Sequence, residues 1–170
     1  KLDKKPRPLH KIVMDDLPEL PYAVEEAINR LRVNISFIGS DIKTIMVTST
    51  MPNEGKSFVS LHLWRQLAQA GIPTLFVDMD LRKSVMVEKY SMHRENNETM
   101  HGTSYYLANK ISLSEVVFQS EIPNGYILPN VDNVINPSML LESNRFKAMF
   151  EQMKAAFRYV IVDVPPLNLV

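Results

Sequence analysis

Apolar residues recur along this chain with two different periods, and the alternation between them predicts its architecture. From Tyr22 onward Val24, Ala27, Ile28, Leu31, Ile35 and Ile38 return at helical spacing, while Glu25, Glu26, Arg30 and Arg32 fall off that stripe. This is an amphipathic helix, whose apolar stripe packs on a sheet or whose charged face meets another subunit. After Gly39-Ser40-Asp41 the run Thr44 to Thr48 predicts a strand. A polar turn follows. Val59, Leu63, Leu67 and Ala70 then mark one face of a second helix, which stops at Gly71 with Pro73 just past its end. Thr74-Leu75-Phe76-Val77-Asp78 is apolar at successive positions and rich in β-formers, the pattern of a strand buried on both faces. Strand, helix and strand in that order predict a right-handed βαβ unit.

Farther along, Leu81 to Asn109 is polar and weakly periodic around MHRENNETMHG, and reads as a mobile loop ending in a short helix around Tyr105 to Ala108. Leu113, Val116 and Val117 predict another short helix, and Tyr126-Ile127-Leu128 a third short strand. Asn136-Pro137-Ser138 caps a helical stretch whose later part places Phe146, Met149, Phe150, Met153 and Phe157 on one core-facing stripe. Tyr159-Val160-Ile161-Val162-Asp163 is a last apolar strand with a carboxylate at its end. At the other end, KLDKKPRPLHK reads as a solvated tail or as a basic arm near a membrane, and residues 1–21 as a basic, proline-broken N-terminal tail ahead of a single domain over 22–170.

Composition narrows the classes of function. A chain of 170 residues suits one α/β domain with a core of its own. Lys+Arg 19 balances Asp+Glu 19, so no overall field draws the protein to nucleic acid or to an anionic surface. Cys 0 excludes a disulfide framework and a thiol nucleophile, and fits a reducing cytoplasm. No apolar run approaches the roughly 20 residues that span a bilayer. The chain starts at Lys1 without a signal-peptide pattern and reads as trimmed. His10, His62, His93 and His101 lack metal-ligand spacing, and Tyr105 and Tyr106 read as packing or surface residues rather than phosphate acceptors.

The chemistry gathers on the polar turn TSTMPNEGKS, Thr48 to Ser57. Thr50 stands at the first glycine of the pattern G-x-x-x-x-G-K-[ST], while Gly55, Lys56 and Ser57 match it outright. Backbone N–H groups of such a turn wrap a phosphate at a helix N-terminus, whose dipole also favours negative charge. Lys56 then reaches the outer phosphates and the Ser57 hydroxyl binds Mg²⁺. Asp78 with Asp80, and Asp163, close two later strands, so all three stand at the carboxyl edge of the sheet beside the turn. Mg²⁺ takes oxygen ligands and keeps several waters, a demand that Ser57, phosphate oxygens and nearby carboxylates meet. No N/TKxD motif reads a guanine, so ATP is preferred to GTP.

These residues carry a resemblance. LFVDMDLRKSVM (Leu75 to Met86) resembles the hydrophobic-DxDxR element of bacterial tyrosine kinases, YVIVDVPP (Tyr159 to Pro166) their second acidic strand, and NPSMLL (Asn136 to Leu141) their N-P-[SA]-x-L-L stretch, all in family order. The likeness runs from about Glu26 to the last residue. It is greatest to the Gram-positive type, a separate cytoplasmic kinase of capsule or exopolysaccharide synthesis paired with a membrane-anchored activator.

The resemblance implies a three-layer α/β P-loop NTPase fold, a mainly parallel sheet flanked by helices, cut short at its C-terminal part. It implies that Met51, Pro52, Asn53, Glu54, Gly55, Lys56, Ser57 and Phe58 cradle ATP, and that Ser57, Asp80 and Asp163 hold Mg²⁺ and its waters. Asp78 would take the proton from an incoming tyrosine hydroxyl in an in-line phosphoryl transfer. Lys56 would position the phosphates, and Arg82 completes the set of catalytic candidates with Lys56, Asp78 and Asp80. Implied partners are the cytoplasmic tail of the membrane-anchored co-polymerase, other copies of the chain in a ring, and a cognate tyrosine phosphatase, with no nucleic acid. The protein would then lie peripherally at the inner face of the cell membrane.

Departures from the family pattern sharpen these expectations. Asn29 replaces the middle arginine of the subunit-contact motif E-x-x-R-x-x-R that Glu26 opens and Arg32 closes, which weakens the ring. Asn53 stands where the turn has glycine, and asparagine tolerates positive φ. Phe58 removes a hydroxyl, Val164 stands where threonine is frequent, and the family's tyrosine cluster would be expected beyond Val170. Two alternatives remain open: a deviant-Walker ATPase, whose second lysine is here Met51, and a non-catalytic nucleotide-binding scaffold.

Overall fold

The structure, a computed structural model, describes residues 9–48 and 56–165. In chain order it contains β1 (Ile12–Met14), α1 (Tyr22–Ser36), β2 (Thr44–Val47), α2 (Lys56–Gln69), β3 (Thr74–Asp78), α3 (Met86–Lys89), β4 (Met92–Arg94) and α4 (Thr103–Ala108). It continues with β5 (Phe118–Gln119), β6 (Gly125–Leu128), α5 (Ser138–Leu141), α6 (Asn144–Ala156) and β7 (Tyr159–Asp163). The main sheet has the order β2-β7-β3-β6-β5, parallel except for β5, which runs antiparallel to β6. β1 and β4 form a separate antiparallel pair.

The successive apolar residues of β3 and β7 are buried throughout, as a strand covered on both faces requires. Their side chains alternate between two cores. Phe76, Tyr159 and Ile161 join Leu63, Trp64 and Leu67 of α2 on one face. Leu75, Val77, Val160 and Val162 join Leu107 of α4 and Met149 and Met153 of α6 on the other. That makes the expected three layers. Trp64, fully buried, ties the near face to the sheet: its Nε1–H donates to Thr74 O at 3.1 Å and to Tyr126 O at 3.0 Å. α2 ends ahead of Gly71, whose φ of 84° is the left-handed value that glycine adopts without strain.

Several local expectations differ from the structure. The stripe of α1 buries only Ile28 and Ile35, and Ile38 is 63% exposed, because α1 rests on α2 rather than on the sheet. Within the stretch 1–21, expected as an irregular N-terminal tail, Ile12 is buried, β1 pairs with β4, and Lys11 bridges Gln119 at the edge of the main sheet. The stretch from Leu81 to Asn109 ends in α4, where a short helix is expected around Tyr105 to Ala108, but the part expected as loop also contains α3 and β4. These two are four and three residues long, too short for hydrophobic periodicity to register. Leu113–Glu115 is a single 3₁₀ turn. The helical stretch after Asn136 is two helices, the second capped by Ser143, whose Oγ accepts Phe146 N–H at 3.3 Å. Among the described residues no helix is long and apolar enough to cross a membrane.

His62 of α2 is buried, and burial, aided by the Arg65 charge, lowers its pKa to about 4. Its contribution to stability is therefore full above the ordinary value of 6.5 and falls as pH drops toward 4, where the unfolded chain binds a proton that the folded one refuses. Urea midpoints measured between pH 7 and pH 4 should decline less in His62→Gln than in the wild type; parallel curves would refute this assignment.

Candidate functional site

The register of the sheet builds the site. β7 lies between β2 and β3, and Asp163 is level with Val47 on one side and Asp78 on the other. Backbone pairing continues past the strand ends, with Val164 N–H donating to Val47 O at 3.2 Å and Met79 N–H to Asp163 O at 2.9 Å. The start of the phosphate turn and the two acidic strand ends are thereby brought to one edge, as the sequence predicts.

Asp163 is buried, and both of its oxygens accept hydroxyl hydrogen bonds from the first turns of α2. Ser57 Oγ donates to Oδ2 at 3.0 Å and Ser60 Oγ to Oδ1 at 3.1 Å. The helix N-terminus and the acidic strand end are thus locked together. Ser60 was not among the expected site residues, although its i+3 spacing from Ser57 places it on the same helix face and is legible in the sequence.

Asp78 is also buried, and its pKa is pushed up to about 7. Burial is the main cause, and the nearby charges of Asp163 and Asp80 add to it. Two hydrogen bonds oppose the rise: Ser84 Oγ donates to Asp78 Oδ2, and Asp80 N–H donates to Oδ1 at 3.0 Å. Ser84 is a second site residue that the sequence does not announce, since a loop returning on itself has no periodicity. Asp80 is half-buried and turns the loop by accepting Lys83 N–H at 3.0 Å. Arg82 is exposed, with no hydrogen bond or ion pair among the described residues, so it is not drawn into the cluster.

Of the expected phosphate cradle, Met51, Pro52, Asn53, Glu54 and Gly55 lie outside the described residues, and so does the side chain of Lys56, whose backbone opens α2. Phe58 is half-buried, its ring 4.5 Å from that of His62. Among the described residues no group of three or more His, Cys, Asp or Glu could hold a metal ion unaided. The donor set instead suits a hard cation carried in with phosphate oxygens and water, because only the Ser57 hydroxyl and carboxylates are on offer.

The chain and its fold are similar to those of known proteins. The profile of the AAA domain matches residues 24–170. The tyrosine-protein kinase CpsD of Streptococcus agalactiae is 36% identical over 146 residues, which is 86% of this chain and 62% of CpsD. Among solved structures, the chimerical protein CapA2B2 superposes with a TM-score of 0.76 at 31% identity, covering 90% of this chain and 65% of that one. The kinase domain of the Escherichia coli tyrosine kinase ETK gives 0.73 at 30% identity, covering 86% and 56%. The chain spans about three fifths of the length of the curated relatives it matches.

The raised pKa of Asp78 has a consequence for stability. A carboxyl whose folded value lies near 7 rather than 3.8 stabilises fully below 3.8 and loses that contribution as pH rises through 7. Asp78→Asn should therefore gain stability relative to the wild type between pH 4 and pH 8 in urea titrations, and a constant difference across that range would contradict the assignment.

Proposed function

The chain belongs to the AAA-domain family and, within it, to the bacterial tyrosine kinases of the P-loop type, and on that premise we propose that it carries the nucleotide site of an ATP-dependent protein-tyrosine kinase regulating capsular or exopolysaccharide synthesis. The observation that supports this most directly is the convergence of Ser57, Asp78 and Asp163 at one strand edge, with Asp163 fastened to the helix that follows the phosphate turn. A fold of this family binds nucleotide with a metal; we take these to be ATP and Mg²⁺, the pair that the protein-kinase names of its relatives suggest.

In this reading Lys56 neutralises charge on the outer phosphates and Ser57 offers its hydroxyl to the metal. Asp80 and Asp163 orient the waters around it. When bound, Mg²⁺ neutralises charge that develops on the transferring phosphoryl group. Asp78 accepts the proton of the attacking tyrosine hydroxyl, and a value near 7 suits a general base at neutral pH. Most of the acceleration then comes from positioning and from charge stabilisation. We assign the kinase domain to 22–170, with the segment that carries Ile12 and β1 packed onto it, and infer that it works at the inner face of the membrane through the cytoplasmic tail of a membrane-anchored co-polymerase. Other copies of the chain serve as substrates and a cognate tyrosine phosphatase reverses the modification.

The full-length protein incubated with Mg-ATP and that cytoplasmic tail should accumulate phosphotyrosine, and Lys56→Met should abolish it. Asp78→Asn should still bind nucleotide while transfer falls about 10²–10⁴-fold, the usual worth of a positioned base. Phosphotyrosine persisting unchanged in Lys56→Met would overturn the reading, and equal loss of nucleotide binding in Asp78→Asn would make Asp78 a structural residue.

A further inference from the structure

The loop that follows Asp78 and carries Asp80 has no helix or strand between Met79 and Val85, yet its backbone is held on several sides. The grip comes from Pro129 to Asn133, the segment that leaves β6. Asn130, only 2% exposed, donates through Nδ2 to Asp80 O at 3.2 Å and to Asn133 Oδ1 at 3.2 Å, while its own Oδ1 accepts Ser104 N–H at 3.0 Å. Asn133 then grips Ser84 as a neighbouring strand would: its Oδ1 accepts Ser84 N–H at 3.1 Å and its Nδ2 donates to Ser84 O at 3.2 Å. Ser84 in turn donates its hydroxyl to Asp78.

The start of α4 closes the same arrangement from the side. Thr103 Oγ1 donates to Asp78 O at 2.9 Å and to Pro129 O at 3.1 Å, and Thr103 N–H donates to Pro129 O at 2.8 Å. Gly102 makes this approach possible, since a Cβ there would meet Pro129 O at 2.0 Å. The amide orientations follow from the network, because turning Asn130 over would set its NH₂ against Ser104 N–H.

From this geometry we propose that Asn130 and Asn133 are positioning residues for phosphoryl transfer, a clamp that fixes the backbone at Asp80 and Ser84 and through them the carboxylate of Asp78. The proposal rests on the kinase reading above. Packing alone does not call for these two residues: an apolar side chain would fill the volume but would leave Asp80 O and both backbone groups of Ser84 without these partners. Catalysis by positioned groups is steep in distance, with a displacement of about 1 Å costing on the order of 10²-fold. Neither asparagine touches a phosphate-turn residue among those described, so nucleotide affinity and turnover should separate.

The test uses Asn130→Asp, which keeps the acceptor for Ser104 and loses both donations, together with Asn133→Ala and Asn133→Asp. Each is measured with the partner tail for kcat, KM for ATP, nucleotide Kd and amide exchange over residues 80–84. The clamp requires kcat to fall about 10- to 100-fold in Asn130→Asp and Asn133→Ala while Kd stays within about threefold. It also requires the Ser84 amide to exchange faster in Asn133→Ala, and Asn133→Asp, which retains the accepting oxygen, to restore slow exchange and part of kcat. Unchanged kcat, nucleotide affinity lost in step with kcat, or unchanged exchange at Ser84 would each overturn it. A wild type that forms no phosphotyrosine sinks the kinase reading and the catalytic role together, whereas the exchange data decide separately whether the clamp exists.

Discussion

The carboxylate of Asp163, taken out of water at the end of β7, has to be met by hydrogen-bond donors, because an unpaired buried charge costs several kcal/mol. Ser57 and Ser60 meet it from the first two turns of α2, which fixes where that helix begins relative to the sheet. The helix start is also where a phosphate turn must deliver its N–H groups. One buried charge therefore sets the distance between the phosphate site and the acidic edge. Because β7 pairs with both β2 and β3, the same residue sets the level of Asp78 as well.

Burying Asp78 at the acidic edge has an electrostatic cost. Burial raises its pKa to about 7, and the neighbouring charges of Asp163 and Asp80 add to the rise. The opposing hydrogen bonds from Ser84 and Asp80 N–H keep it from rising further. A carboxyl balanced in this way can accept a proton at neutral pH, whereas an exposed aspartate is already too weak a base. The local instability of the acidic edge is offset by the two apolar cores beneath it, which alternate residue by residue along β3 and β7.

The loop after β3 shows how irregular backbone becomes rigid without secondary structure. Its peptide groups find partners in asparagine side chains and in the first turn of α4, so the satisfaction of polar groups does the work that a sheet ladder does elsewhere. Such anchors come from residues more than twenty positions away in the chain, and they make the acidic loop dependent on the segment leaving β6.

What the sequence determined by itself is whatever local spacing encodes. The successive apolar residues of Leu75–Val77 and Val160–Val162 identified strands covered on both faces, the start of a helix at Lys56 and Ser57 was legible, and so were Asp78 and Asp163 as strand-end carboxylates. Tertiary structure alone decided that β7 enters between β2 and β3, since a parallel ladder is chemically the same for any strand and the choice of neighbour rests on packing and connection. It alone paired β1 with β4, set α3 and β4 into the stretch expected as loop after Leu81, and brought Ser84, Asn130 and Asn133 to the acidic loop. The pKa of Asp78 belongs to the same class, because its main cause is burial, and the hydrogen bond from Ser84 and the charge of Asp163, 85 positions distant, also depend on the fold.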